Sequence, residues 1–408
     1  MIVDSADPAG LAGLSAPQTR QVSRAVGYAY PWDVIGDPAF ATRVESLGVR
    51  AVALAASYHG ARAATPQHPL HRLVEAPTSA LYRPVRETAW RGHALRPVAA
   101  SWVASPDPFA DAATELIDHG FTVDAWVILA HSSRLGAERP DVAVRNCFGD
   151  IYSYALCPAH EEVLAYITTL AGEAVREVPI AGVSVEGLGQ LGVAHNGLHE
   201  KTDGAYGQAA QRILSLCCCS ACQKSWLARG LDPSEVVRRL RDALAAVQAG
   251  TFASDAGAAE ILDDQLAAEL LATRVASQDT ARAQVLSALR EVAPTARVTV
   301  HGQADPWATG PSPAVTARAA GEVDAVLVPA WSAAPATYEA IAAARRLAPD
   351  LVSVAAYVTV LPPIDPGSIG GHTDALLAAG ADELHLYHLG LATPARLELL
   401  GELARRNW

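Results

Sequence analysis

Short apolar runs alternate with segments of helical period along most of the chain. The runs are VGYAYPW (26–32), VRAVALAASYHG (49–60), FTVDAWVILAH (121–131), IAGVSVEG (180–187), ARVTVHG (296–302), VDAVLVPAW (323–331), LVSVAAYVTVL (351–361) and DELHLYHLG (382–390). Most are continuously apolar rather than alternating, which marks strands covered on both faces. Helical segments separate them. DPAFATRVESLG (37–48) offers Asp37 as N-cap, Pro38 at the first helical position and Gly48 as a stop; DPFADAATELIDHG (107–120) has the same punctuation. Eight strand–helix units predict an α/β protein of the (β/α)8, or TIM, barrel type. A doubly wound open sheet is the competing layout, but the first run is followed by Pro31, Trp32 and Asp33 with no G-x-G-x-x-G phosphate loop.

The pattern also sets the organisation. Residues 1–24 read as a polar, Gly/Ala-rich lead-in and 25–408 as one barrel domain. Residues 232–292 are almost wholly helical in character and predict an insertion between strands 4 and 5. Segments 61–106 and 132–157 read as long loops, with LRPVAASWV (95–103) counted as loop rather than as a ninth barrel strand.

Composition narrows the partners. Half of the 408 residues are hydrophobic, which excludes disorder as the main state. The formal charge of −12 argues against a nucleic-acid binder and against an anionic membrane surface. No apolar stretch is long enough to span a bilayer, and the start of the chain lacks a basic-then-apolar signal. A cytoplasmic protein, free or self-associated, with a small-molecule partner is the expectation.

In a barrel, chemistry sits at the carboxyl ends of the strands. Those ends carry Tyr30, Trp32 and Asp33, then Ser57, Tyr58 and His59, then His131, Glu186, His301 with Asp305, Trp331, Tyr357, and Tyr387 with His388. Aromatic faces stack on the apolar face of a sugar ring, while carboxylates and imidazoles bond its hydroxyls, so this set predicts a carbohydrate pocket. Glu186 closes an otherwise apolar run, where burial would raise its pKa towards general-acid work. The loop 187–204 adds His199, Glu200 and Lys201 among glycines. His385 and His388, three apart on one strand, are expected to face opposite sides. Cys217, Cys219 and Cys222 supply clustered thiols, with Cys157 or Cys218 as a fourth ligand for a structural zinc; packed thiols or a disulfide are the alternatives.

The succession GYAYPW, AASYHG, AWVILAH, NCFGDIYSYALCP, GVSVEG, HEK and LSLCCCSAC resembles a glycoside-hydrolase-like (β/α)8 family of bacterial proteins. The resemblance spans most of residues 26–390. It implies Glu186 as acid/base and a Cys-x-Cys-x-x-Cys element after the fourth strand, and no cofactor for catalysis. The chain departs from retaining members at the seventh strand, which ends in Tyr357 and the following VTVLPP without a carboxylate. Glycoside cleavage uses two carboxyl groups. Asp305 is the preferred partner of Glu186, with Glu200 next; Asp33 and Asp150 are weaker, and Tyr357 stays open as a tyrosine nucleophile. Two rival readings remain: a metal-dependent lyase or isomerase using His131, Glu186, His301 and His388, and a carbohydrate-binding barrel without turnover.

Overall fold

The computed structural model of the chain describes residues 23–194, 201–202, 204–362 and 364–405. Eight parallel strands close into a barrel: β1 (Arg24–Ala29), β2 (Ala51–Tyr58), β3 (Thr122–Ile128), β4 (Gly182–Glu186), β5 (Arg297–His301), β6 (Ala325–Pro329), β7 (Ser353–Thr359) and β8 (Glu383–Tyr387). Each pairs with its sequence neighbours, and β1 also pairs with β8, which leaves the eight-strand ring without a free edge. Helices α1 (Phe40–Ser46), α2 (Pro108–Asp118) and α3 (Glu161–Val175) follow the first three strands. Between β4 and β5 come α4 (Gln208–Leu214), α5 (Ser220–Ala228), α6 (Pro233–Gln248), the short Ala258–Leu262 helix and the long α7 (Asp264–Val292). The predicted helical excursion is therefore present, and α7 returns along α3 in the outer layer. The circuit ends with α8 (Ala317–Ala320), α9 (Pro335–Leu347), α10 (Ile369–Ala378) and α11 (Pro394–Arg405). Among the described residues no helix is long and apolar enough to cross a membrane.

All eight strand runs of the sequence reading are found, with three local differences. The first run does not continue to Trp32: Pro31 has no N–H for a ladder, and the chain turns at once into a single helical turn, Pro31–Val34. The Asp33 carboxylate accepts from Tyr30 N at 2.8 Å and fixes that turn. The long loops hold small antiparallel ladders of their own, Ala61–Ala64 with Leu73–Ala76 and Ala143–Arg145 with Ile151–Leu156. Helix α1 begins at Phe40, later than the cap at Asp37 suggested; Asp37 instead accepts from Ala39 N at 3.1 Å and pairs with Arg43.

The barrel interior is a packed core in which many polar side chains pair with one another, while Tyr357 Oη and the Nε2 atoms of His385 and His388 have no hydrogen-bond partner among the described residues. Near the amino ends of the strands, Arg24 bonds Asp124 at 2.8 Å and Arg297 bonds Glu383 at 2.5 Å. One layer higher, Tyr28 Oη shares hydrogen bonds with Ser184 Oγ at 2.8 Å and His385 Nδ1 at 3.1 Å, while Ser184 Oγ meets His301 Nε2 at 2.9 Å. Gly182 permits the close approach beneath this layer. A Cβ there would stand 2.7 Å from Asp124 Oδ1 and 2.9 Å from the Arg297 carbonyl oxygen. Gly182→Ala should therefore cost about 1–3 kcal/mol, as overpacking does. Urea denaturation reads this directly, and a midpoint equal to wild type would contradict the packing described.

Candidate active site

Glu186 ends β4 and is only 7% exposed. Trp126, from the adjacent strand β3, donates Nε1–H to Glu186 Oε2 at 2.8 Å. Burial raises the Glu186 carboxyl from an ordinary 4.5 to about 7, and the Trp126 bond only partly opposes this. His301 Nδ1 lies 3.6 Å from Glu186 Oε2. Burial pushes His301 down to about 3, so this contact joins a neutral imidazole to the carboxyl and is not an ion pair.

Aromatic side chains wall the group in. Trp126 meets Tyr28 and Tyr58 edge-on at 4.9 and 4.7 Å. Tyr30 stacks on Trp32 at 4.4 Å, lies 4.3 Å from the His388 ring and donates Oη–H to Tyr58 Oη at 3.0 Å. Tyr58 continues through His59 to His131, at 4.2 and 4.4 Å. On the other side Tyr357 packs 4.7 Å from Tyr28 and 5.7 Å from Tyr387. Tyr387 leads outward to Trp331 at 4.9 Å, and Trp331 is 45% exposed. Burial raises the Tyr28, Tyr30, Tyr58 and Tyr357 hydroxyls well above 10, so these groups stay protonated donors.

The structure thus unites Glu186, Tyr30, Trp32, Tyr58, His59, His131, His301, Trp331, Tyr357 and His388 in one connected cluster. It does not separate His385 from His388 as expected. Strand β8 stops at Tyr387, so side-chain alternation does not extend to His388, and both imidazoles are fully buried. His388 Nδ1 accepts from Gly390 N at 3.1 Å, and burial pushes the ring down to about 3. Asp33 lies nearby, its Oδ2 3.9 Å from His388 Nδ1, and burial raises it to about 7.

Asp305 is engaged elsewhere. On the loop after β5, its Oδ1 accepts from Trp307 N at 2.9 Å and its Oδ2 lies 3.5 Å from Arg212. It lines a recess of about 190 Å³ with Arg212, Gln208, Gln211 and Gln303. Lys201 is exposed, while His199 and Glu200 lie outside the described residues. The main residue that strand-end reading overlooks is Trp126. It sits two places inside the end of β3, in register with Ser184; its signal was an indole with a buried N–H to satisfy in the apolar stretch AWVILA (125–130).

Cys157, Cys217, Cys219 and Cys222 form a second centre, with their sulfurs within 4.8 Å of one another and all four buried. Cys157 precedes α3, and the other three flank the start of α5. Cys157 Sγ is 3.7 Å from both Cys222 Sγ and Cys219 Sγ. A tetrahedron of thiolates around zinc at 2.3 Å has an edge of about 3.8 Å, so the set fits such an ion, whereas a disulfide needs ~2 Å. Cys218 turns away, its Sγ on the Leu216 carbonyl at 3.6 Å. Among the described residues this is the one His/Cys/Asp/Glu group able to hold a metal; His131, Glu186, His301 and His388 do not converge as ligands.

No protein-family model matches the chain, and neither does any curated protein. Solved structures do share the fold. The glycoside hydrolase domain of PgaB (BpsB) from Bordetella bronchiseptica superposes with a TM-score of 0.57 and 15% identity, over 92% of this chain and 98% of that one. Alpha-L-fucosidase isoenzyme 2 from Paenibacillus thiaminolyticus gives 0.55 and 13%, over 94% of this chain but 49% of its own. The beta-amylase catalytic domain from Paenibacillus polymyxa gives 0.54 and 11%, over 93% and 96%. The chain therefore has the barrel fold of glycoside hydrolases, and it spans about half the length of the fucosidase.

The raised Glu186 pKa has a thermodynamic signature. A carboxyl that is harder to ionise when folded contributes stability below its unfolded pKa near 4.5 and loses it as pH rises through about 7. Glu186→Gln removes this dependence. The variant should gain ~3 kcal/mol on wild type well above pH 7 and almost nothing near pH 4.5. Denaturation at the two pH values checks it; identical pH slopes would mean a solvated carboxyl.

Proposed function

We propose that the protein is a glycoside hydrolase acting on a small glycoside or oligosaccharide, with Glu186 as general acid/base. The observation that carries this reading is a carboxyl held near pKa 7 by burial, at the carboxyl end of the fourth strand of a glycosidase-type barrel. Such a group is protonated for part of the neutral range and can pass its proton to a leaving oxygen. Trp126 orients it through one oxygen. Trp331, exposed beside Tyr387, offers a face on which a pyranose can stack. Asp305 is the proposed second carboxylate, with Glu200 next and Asp33 after it. Zinc is the ion proposed for the four cysteines, and its role is structural because four thiolates leave no open position for water. Six unpaired, buried cysteines suit the reducing cytoplasm.

One observation favours a second reading, a sugar-binding barrel without turnover. The seventh strand presents Tyr357 where retaining relatives of the resembled family carry a nucleophile, and burial holds its hydroxyl protonated.

A panel of aryl glycosides and natural disaccharides separates the two. Turnover by wild type that falls about 10²- to 10⁴-fold in Glu186→Gln, with sugar binding by calorimetry retained, is the expected result. Binding without turnover selects the second reading, and full activity in the variant removes the first. Asp305→Asn should also lose most of the rate; a wild-type rate there moves the partner role to Glu200 or Asp33.

A further inference from the structure

The cysteine centre is attached to both loops beside Glu186. Gln190, four residues past Glu186, is buried and donates its side-chain Nε2–H groups to Cys157 Sγ and Cys222 Sγ, each at 3.6 Å. Its own carbonyl accepts from Gly310 N at 3.1 Å, and Gly187 N donates to the Pro311 carbonyl at 2.8 Å, so the loops after β4 and β5 are laced together. Gly189 lets α7 press on this junction. A Cβ there would lie 2.7 Å from Gln278 Nε2 and 2.8 Å from Pro313 Cβ.

The same helix carries a buried cation. Arg274 is 6% exposed, and no carboxylate among the described residues lies within ion-pair reach. Its guanidinium caps the carbonyls of Trp307, at 3.2 Å, and Ala308 on the loop after β5. Arg274, Ser277, Gln278 and Gln190 surround a cavity of about 30 Å³ together with Cys217 and Cys222. Arg274 Nε, Ser277 Oγ and Gln278 Nε2 have no hydrogen-bond partner among the described residues. A buried guanidinium is costly when its only nearby carboxylate is Asp305, which acts on it without a direct ion pair and is already engaged by Arg212. Four thiolates around a divalent ion carry a net charge of −2, and such a centre on the wall of this cavity would add to that counter-charge.

We propose that Gln190 and Arg274 are positioning residues of the metal–thiolate centre, and that through them the bound ion braces the loops following β4 and β5. Gln190 bonds the thiolates directly, as donors around metal ligands commonly do. Arg274 balances the charge and holds the Trp307–Ala308 turn. The cavity is large enough for one water, and three polar atoms without protein partners line it. The inference stands independently of the reaction assigned to Glu186.

The test uses the full chain loaded with zinc, then stripped by a chelator. Hydrogen exchange is followed by mass spectrometry, and zinc transfer to a chromogenic chelator gives the affinity. Stripping should speed exchange about tenfold or more over 187–194 and 303–311 while β6 and β7 keep their protection. Gln190→Leu and Arg274→Met should each weaken zinc binding about 10- to 100-fold, with Arg274→Lys recovering part of the loss. The proposal is overturned if the protein takes up no zinc, if exchange changes only around the cysteines, or if protection collapses throughout the barrel. It is overturned equally if both variants hold zinc as wild type does. Where a variant does not fold, the stripping experiment on wild type decides alone.

Discussion

Closing eight strands into a ring creates an interior that water scarcely enters, and a polar group placed there must find its partner inside or stay uncharged. This constraint organises the molecule from one end to the other. At the amino ends it forces full ion pairs, Arg24 with Asp124 and Arg297 with Glu383. In the middle it produces the neutral chain Tyr28–Ser184–His301 with His385. At the carboxyl ends it leaves Glu186 with an indole donor and no cation, which is why its proton is held so firmly.

The polar groups grade from paired charges at the amino ends to unpaired but protonatable groups at the carboxyl ends. Trp126 belongs to both halves of this gradation. Its ring fills the core against Tyr28 and Tyr58, and its single N–H bonds the Glu186 carboxyl. The aromatic wall then runs outward to Trp331 without a charged side chain among the rings it joins.

The strands were legible because continuous Val/Ala/Leu runs have few other homes than a doubly covered parallel sheet. Reading only the last residues of each run named Glu186, Tyr30, Tyr58 and Tyr357, which the fold brings into one cluster at the carboxyl ends of the strands. It overlooked Trp126, one layer deeper, and it misjudged His388, because no local pattern announces that a strand stops one residue early. Pro31 did carry such an announcement, and the first strand ends before it. The cysteines were legible as a local triplet, whereas their fourth member is brought in by tertiary folding: Cys157 stands 60 positions before Cys217, and the chain between them encodes no distance. The bond from Gln190 to two thiols was not legible at all, since a glutamine in a glycine-rich loop has no pattern that distinguishes it from a solvated one.

The neutrality of the groups around Glu186 has one more consequence. Mobile ions attenuate the influence of charges on one another, and here the nearest imidazole, phenols and indole carry none. Ionic strength is therefore a poor handle on this proton; hydration is a strong one. Whatever opens the mouth to solvent, whether a slackened loop or a shortened aromatic, would acidify the carboxyl, and whatever seals it, including an occupant that displaces solvent, would make the proton still harder to lose.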